Sequence, residues 1–240
     1  SLTLDGAAYG PTTSAQIGFV PQTERLFATL TVRETFALHA RLRGSRAVAP
    51  ERIERLQNEL GLSDVLDSVV GDPAAIRRRG LSGGERKRLA VGLELLHTPP
   101  LLILDEPTSG LDSHAALGVA TALRLLGQKQ AVVCSVHQPS SAVLGCFGTL
   151  GLLSSTGHSL YFGPTGDAPG HWSSQGRPVP PLTAAAEHYI DLAFELSRQA
   201  DAAAAAFVAR PPEDPHAARR VSVALPPRPS LGVQFSALLW

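Results

Sequence analysis

Residues 81–112 read LSGGERKRLAVGLELLHTPPLLILDEPTSGLD, and three elements follow one another in them. Leu81-Ser82-Gly83-Gly84-Glu85 is a glycine turn entering a helix. Leu101-Leu102-Ile103-Leu104 is an apolar run closed by Asp105 and Glu106, and Ser109-Gly110-Leu111-Asp112 is a second turn. Ser82 suits a helix N-cap, and two glycines let backbone N–H groups approach a ligand closely. A helix start carries partial positive charge and free N–H donors, so Ser82, Gly83, Gly84 and Glu85 form a candidate phosphate seat. Four apolar residues without alternation predict a strand covered on both faces. Ligands of open parallel sheets sit beyond the carboxyl ends of the strands, which is where Asp105 and Glu106 stand. Asp105 fits a hard oxygen ligand for Mg²⁺, and Glu106 fits a general base that polarises an attacking water.

In this order and spacing the stretch resembles the ABC ATPases, where LSGGE is the signature motif, LLILDE the Walker B strand and SGLD the D-loop. The resemblance implies an α/β fold, a P-loop NTPase (RecA-like) parallel sheet with an inserted helical subdomain, and it implies ATP and Mg²⁺ as cofactors. Other segments extend it. Ile17-Gly18-Phe19-Val20 reads as a strand stopped by Pro21, and Gln22 with the TERLFATLTVRETF that follows resembles the Q-loop. In that family the glutamine touches Mg²⁺ and the attacking water, a role that transfers to Gln22. Residues 131–136 read as another buried strand, followed by His137. Its place matches the switch histidine of the family, which contacts the γ-phosphate and orients the water.

Between Gln22 and the signature turn the pattern is helical. Thr31 and Glu34 form a capping box opening a helix over 32–42, and Pro50 opens another that Gly61 closes. Residues 63–70 read as a short third helix or turn. With the signature helix these make an expected helical subdomain over 26–95. Arg86-Lys87-Arg88 and Arg77-Arg78-Arg79 flank the turn, either as a solvated face or as positive potential beside a phosphate. Residues 115–126 read as a helix, and 150–153 with 159–162 as two strands around Gly157.

The chain has 240 residues, 44% of them hydrophobic, enough for one large domain. Its 21 basic and 21 acidic residues balance, which gives no reason to expect nucleic acid as a partner. Two cysteines, Cys134 and Cys146, are too few for a disulfide framework and fit a reducing, cytosolic setting. No apolar run approaches a membrane span, and no signal peptide is evident.

LSGGERKR, SVHQP, YFGP and TLTVRETF together look like the G subfamily, the white, sterol and multidrug half-transporters. Residues 187–192, EHYIDL, loosely resemble the segment that closes the nucleotide-binding domain there, with Ala184-Ala185-Ala186 where Asn-Pro usually stands. The expected domain thus runs over 1–195, followed by an alanine- and proline-rich linker over 196–229. Residues 230–240, SLGVQFSALLW, read as the start of a connecting helix toward a transmembrane domain beyond Trp240.

The phosphate-cradling G-x-x-x-x-G-K-[ST] loop is not in the sequence, whose lysines are Lys87 and Lys129. In the family that loop precedes the strand that SLTLDG resembles. The expected reading is therefore a domain truncated at its N-terminus, consistent with the start at Ser1 and with a sequence holding no methionine. As given, the chain is expected to bind ATP weakly and to hydrolyse it little. The family further implies a head-to-tail pair of nucleotide-binding domains on the cytoplasmic side of a membrane. One domain contributes Gln22, Asp105, Glu106 and His137, its partner contributes Ser82, Gly83 and Gly84, and Asp112 lies at the seam. The expected function is the ATP-hydrolysing motor of an exporter of lipids, sterols or other hydrophobic compounds. Two alternatives are a non-hydrolysing subunit that partners an active one and a soluble ABC protein acting on DNA or ribosomes.

Overall fold

A computed structural model describes residues 3–4, 7–8, 17–42, 48–72, 80–155, 157–207 and 235–239. Strands β1 (Thr3–Leu4) and β2 (Ala7–Ala8) pair antiparallel, flanking the expected Asp5-Gly6 turn, which itself lies outside the described residues. The main sheet holds β3 (Ile17–Val20), β4 (Leu101–Leu104), β5 (Ala131–Val136), β6 (Thr149–Leu153), β7 (Ser159–Pro164) and β8 (Phe235–Leu239). Their spatial order is β3-β4-β5-β8-β6-β7, parallel throughout except for the β6–β7 hairpin.

Three helices sit near the turn that opens residues 81–112. Helix α1 (Val32–Leu42) begins at the expected capping box: the Thr31 N–H donates to Glu34 Oε2 at 2.8 Å, and the Glu34 N–H donates to Thr31 Oγ1 at 3.1 Å. Helix α2 (Pro50–Glu59) has Pro in its first turn and is followed by Gly61 at φ +61°, a left-handed stop that glycine adopts without strain. Both rest on α3 (Gly83–Leu95). A side chain at Gly92 would lie 2.7 Å from Phe36 Cζ and 2.8 Å from Leu60 Cδ1, so the bare backbone of α3 is what lets those side chains close the interface. Of the short helix or turn expected over 63–70, the structure has one 3₁₀ turn, Ser63–Val65.

Helix α4 (Ser113–Leu126) crosses from β4 to β5. It is followed by short α5 (Ser141–Leu144), α6 (Ala168–Ser174) and long α7 (Ala185–Phe207). Trp172 and Tyr189 are buried among them.

Three expectations are corrected. First, the strands are not covered on both faces. Val20, Leu102, Leu104, Val132 and Cys134 share a register and are buried, whereas Leu101, Ile103, Ala131 and Val133 on the opposite face are only half-buried and Phe19 is 51% exposed. The closed face lies toward α3, where Glu94 Cβ comes within 3.5 Å of a side chain built at Gly18. Unbroken apolar runs signal which residues tolerate burial, and they do not say that both sides receive a cover.

Second, residues 235–239 are a strand and not the start of a helix. Val132–Val136 pair with Phe235–Leu239 on one side, and Thr149–Leu152 pair with Ser236–Leu239 on the other. A short isolated helix is marginal in water, whereas a slot between two parallel strands supplies ladder partners for both backbone edges. Third, α7 runs through the expected domain boundary at 195 and continues to Phe207, into what reads as linker. Alanine has the highest helix propensity, so an alanine-rich stretch prolongs a helix already anchored by packing. Residues 208–229 lie outside the described residues.

Candidate functional site

Three neighbouring parallel strands bring distant residues to one edge. Val20, Leu104 and Cys134 are in register, so the chain leaving β3, β4 and β5 carries Gln22, the pair Asp105 and Glu106, and His137 to the same side of the sheet. Gln22 Nε2 donates to Glu106 Oε2 at 2.7 Å across 84 positions of sequence. With its N–H₂ turned to the carboxylate, Gln22 has its amide oxygen as its remaining side-chain acceptor.

A serine unremarked as a site residue by the sequence reading ties the two acids together. Ser135 Oγ donates to Asp105 Oδ1 at 2.8 Å and accepts from the Glu106 N–H at 2.8 Å. Glu106 holds φ +42°, a left-handed conformation that costs a non-glycine residue about 1–3 kcal/mol. The Ser135 hydroxyl satisfies the amide which that conformation turns toward β5, and it orients the neighbouring carboxylate. Its only sequence signal is its place two residues before His137, inside SVHQP.

The second corner is the start of α3. Ser82 caps it as expected: the Glu85 N–H donates to Ser82 Oγ at 3.3 Å, and Glu85 Oε2 accepts from both the Ser82 N–H and its hydroxyl at 2.8 Å. The hydroxyl is thus occupied within its own turn. The glycines have a packing reason beside a ligand-facing one. A side chain at Gly83 would lie 2.7 Å from Leu111 Cδ2, and one at Gly84 would lie 3.2 Å from Ala115 Cβ. The turn therefore abuts the beginning of α4, which Asp112 caps by accepting from the His114 and Ala115 N–H groups at 3.0 and 2.9 Å. The Ala115 N–H, first among these partners, holds the Asp112 carboxyl below the usual carboxylate range.

The basic run Arg86-Lys87-Arg88 divides: Arg86 and Lys87 turn inward, whereas half-buried Arg88 brings Nη1 within 3.4 Å of where a side chain at Gly84 would begin. Arg86 and Lys87 are buried. Arg86 Nη1 donates to the carbonyls of Gly71 at 2.6 Å and Val70 at 3.2 Å, while Lys87 reaches the Gln22 loop. Arg77, Arg78 and Arg79 lie outside the described residues. His137 is exposed and borders a half-open cleft of about 540 Å³ with Thr108, Leu111, Gln138, Glu187 and Asp191. Gln138 next to it also holds a left-handed φ of +47°.

The donor chemistry at the strand edge suits a hard cation. Asp105 is exposed and keeps Oδ2 beyond its serine bond, and Gln22 at the same strand edge carries an amide oxygen, so the candidate donors are all oxygens. Among the described residues no group of three or more His, Cys, Asp and Glu is placed to hold a metal.

A family model described as ABC transporter matches residues 3–109. The chain is 40% identical over 183 residues to ABC transporter G family member 18 of Arabidopsis thaliana, covering 74% of this chain and 25% of that protein. It is 37% identical over 188 residues to ABC transporter G family member 5 of Oryza sativa subsp. japonica, covering 76% and 23%. It is also 37% identical over 190 residues to ABC transporter G family member 1 of Dictyostelium discoideum, covering 77% and 24%. The chain thus spans about a quarter of the length of these curated relatives.

Proposed function

Given that the chain belongs to the ABC transporter family as a nucleotide-binding domain of the G-family type, we propose that it drives export by ATP hydrolysis in a half-transporter. The cargo class we infer is lipids, sterols or other hydrophobic compounds. The observation that carries the reading is the bonded cluster of Gln22, Asp105, Ser135 and Glu106 at the carboxyl edge of β3, β4 and β5.

Each residue has a proposed part. Glu106 accepts the proton of the attacking water, and Gln22 fixes the Glu106 carboxylate while offering its amide oxygen toward Mg²⁺. Asp105 offers Mg²⁺ its free oxygen, and Ser135 keeps that oxygen aimed outward. His137, at the end of β5, orients the water from the opposite side. When bound, Mg²⁺ and the nucleotide supply the electrophilic phosphorus and the charge that draws these groups together.

Ser82, Gly83 and Gly84 are proposed to serve the nucleotide of a second nucleotide-binding domain, with Asp112 near the seam. The Ser82 hydroxyl must then leave Glu85 to reach that partner's phosphate, so the corner is closed before pairing and opened by it. Among the described residues no helix is long and apolar enough to cross a membrane. The whole protein is proposed to add membrane helices after Trp240 and to hold this domain on the cytoplasmic side.

The test is ATP turnover by the whole protein. Glu106→Gln keeps the Gln22 contact in shape and removes the base, so turnover is expected to fall about a hundredfold or more while ATP-dependent pairing persists. Wild-type turnover in that variant would remove Glu106 as the base. For the 240-residue chain itself, titration calorimetry with Mg²⁺ and ATP is expected to show no micromolar binding, since its sequence has no P-loop lysine motif.

A further inference from the structure

Lys87 lies on α3, five residues after its capping serine, and is only 2% exposed. A lysine ammonium carries three donors and is rarely buried without partners for them. Here three oxygens receive it: Glu24 Oε1 at 2.5 Å, the Gln22 carbonyl at 2.8 Å and the Pro21 carbonyl at 3.4 Å. Two of the three belong to the backbone that leads into Gln22, whose side chain holds Glu106. A continuous set of bonds thus runs from α3 through the ammonium to the Gln22 backbone, and on through its amide to Glu106. The other residues of the loop are looser, for Pro21, Thr23 and Arg25 are exposed, and no helix or strand spans them.

We propose that Lys87 is a positioning residue: it pins the loop carrying Gln22 to α3, and so sets where Gln22 holds Glu106. The helix whose first turn is the Ser82 corner and the loop that orients the strand-edge acid then move as one body. Glu24 completes the pin by balancing the buried charge. A shift of α3 along its axis carries the ammonium, the Gln22 carbonyl and the Gln22 amide with it. The reading rests on the proposed ATPase for its kinetic arm alone.

The alternative is that the buried pair only adds stability, and two apolar substitutions separate the cases. Lys87→Met leaves the half-buried Glu24 beside no cation and is expected to lower stability. The double variant Lys87→Met/Glu24→Met removes both charges at similar volume and is expected to recover the melting temperature. The pinning readout is trypsin cleavage after Arg25 in the full 240-residue chain under native conditions. Cleavage is expected to rise about tenfold in the double variant despite its recovered melting temperature, since local opening and global stability are separate quantities. In the whole protein the same double variant is expected to lose about tenfold to a hundredfold in kcat with KM for ATP changed less than about threefold.

Unchanged Arg25 cleavage in a thermally recovered double variant overturns the pinning. Restored cleavage resistance together with restored kcat makes the pair structural only. Raised cleavage with wild-type kcat overturns the link from the loop to Glu106. A wild-type whole protein that turns over no ATP would refute the ATPase reading, and the cleavage readout would still decide whether Lys87 pins the loop.

Discussion

The two corners of the site are built in opposite ways. The Ser82 corner is local: its cap, its returning carboxylate and its glycines lie within four consecutive positions. The Glu106 corner is assembled, since its side chain meets Gln22 across 84 positions and its N–H meets Ser135 across 29. A local corner forms wherever its helix forms. An assembled corner exists only when the sheet is in register, so its chemistry reports the fold as a whole.

This contrast orders the expected effects of substitution. Ser135→Ala strikes the assembled corner, removing the partner of the left-handed Glu106 amide and of Asp105 at once. Turnover by the whole protein is expected to fall about a hundredfold, as for a misplaced catalytic group, with a smaller change in KM. Turnover within about twofold of wild type would show that the acids hold their places unaided. Gly83→Ala comes next, because its new methyl meets Leu111 where a Cβ would stand 2.7 Å away. It is expected to cost about 1–3 kcal/mol in denaturant unfolding, the usual range for an overpacked contact. A neutral result would mean that Leu111 yields freely and that the glycine serves the ligand alone.

Ser82→Ala removes the local cap and is expected to cost about 1 kcal/mol, read as a drop in the denaturation midpoint with unchanged slope. Gly83→Ala combined with Ser82→Ala sharpens the contrast, since neighbours in one turn are expected to combine non-additively, whereas Ser82→Ala with Ser135→Ala is expected to add. The smallest effect falls on Asp112. Its carboxyl is held below the usual range by the Ala115 N–H, so the stability it contributes is present above the unfolded value near about 3.9. That contribution is lost as pH falls through the lower folded value. Asp112→Asn keeps an acceptor for the cap, so melting at neutral pH is expected to change little while the acid side of the melting-temperature profile flattens. An unchanged acid limb would show that the capping carboxylate carries none of that dependence.

Legibility followed the same division. The capping box at Thr31 and the N-cap at Ser82 were readable because such pairings form within three residues in a pattern that physics favours anywhere, while the reciprocal Glu85 bond at Ser82 came from the structure. The carboxylates of Asp105 and Glu106 were readable because an apolar strand points its end at them. Ser135 carried no such mark, since its importance depends on strand β5 lying beside β4 at a register that no window of sequence encodes. The burial of Arg86 and Lys87 was hidden for a related reason: charge runs read as solvent-facing until partners such as the Gly71 carbonyl and Glu24 are known. The half-open sheet face exemplified by Phe19 was missed because apolar content states what tolerates a cover, and the neighbours decide what receives one.

The position of β8 has a consequence for how the molecule is made. β5 and β6 lie on either side of a strand that begins at Phe235, so the half-sheet of β3, β4 and β5 and the hairpin of β6 and β7 cannot be joined through it until residues 235–239 have left the ribosome. Until then, two unpaired strand edges face the cell, and their stitching waits on the slowest kind of contact, one between segments far apart along the chain. The joining of the two halves of the sheet is therefore delayed, and the nascent chain is most exposed to chaperones and to misassociation in the interval before residues 235–239 arrive.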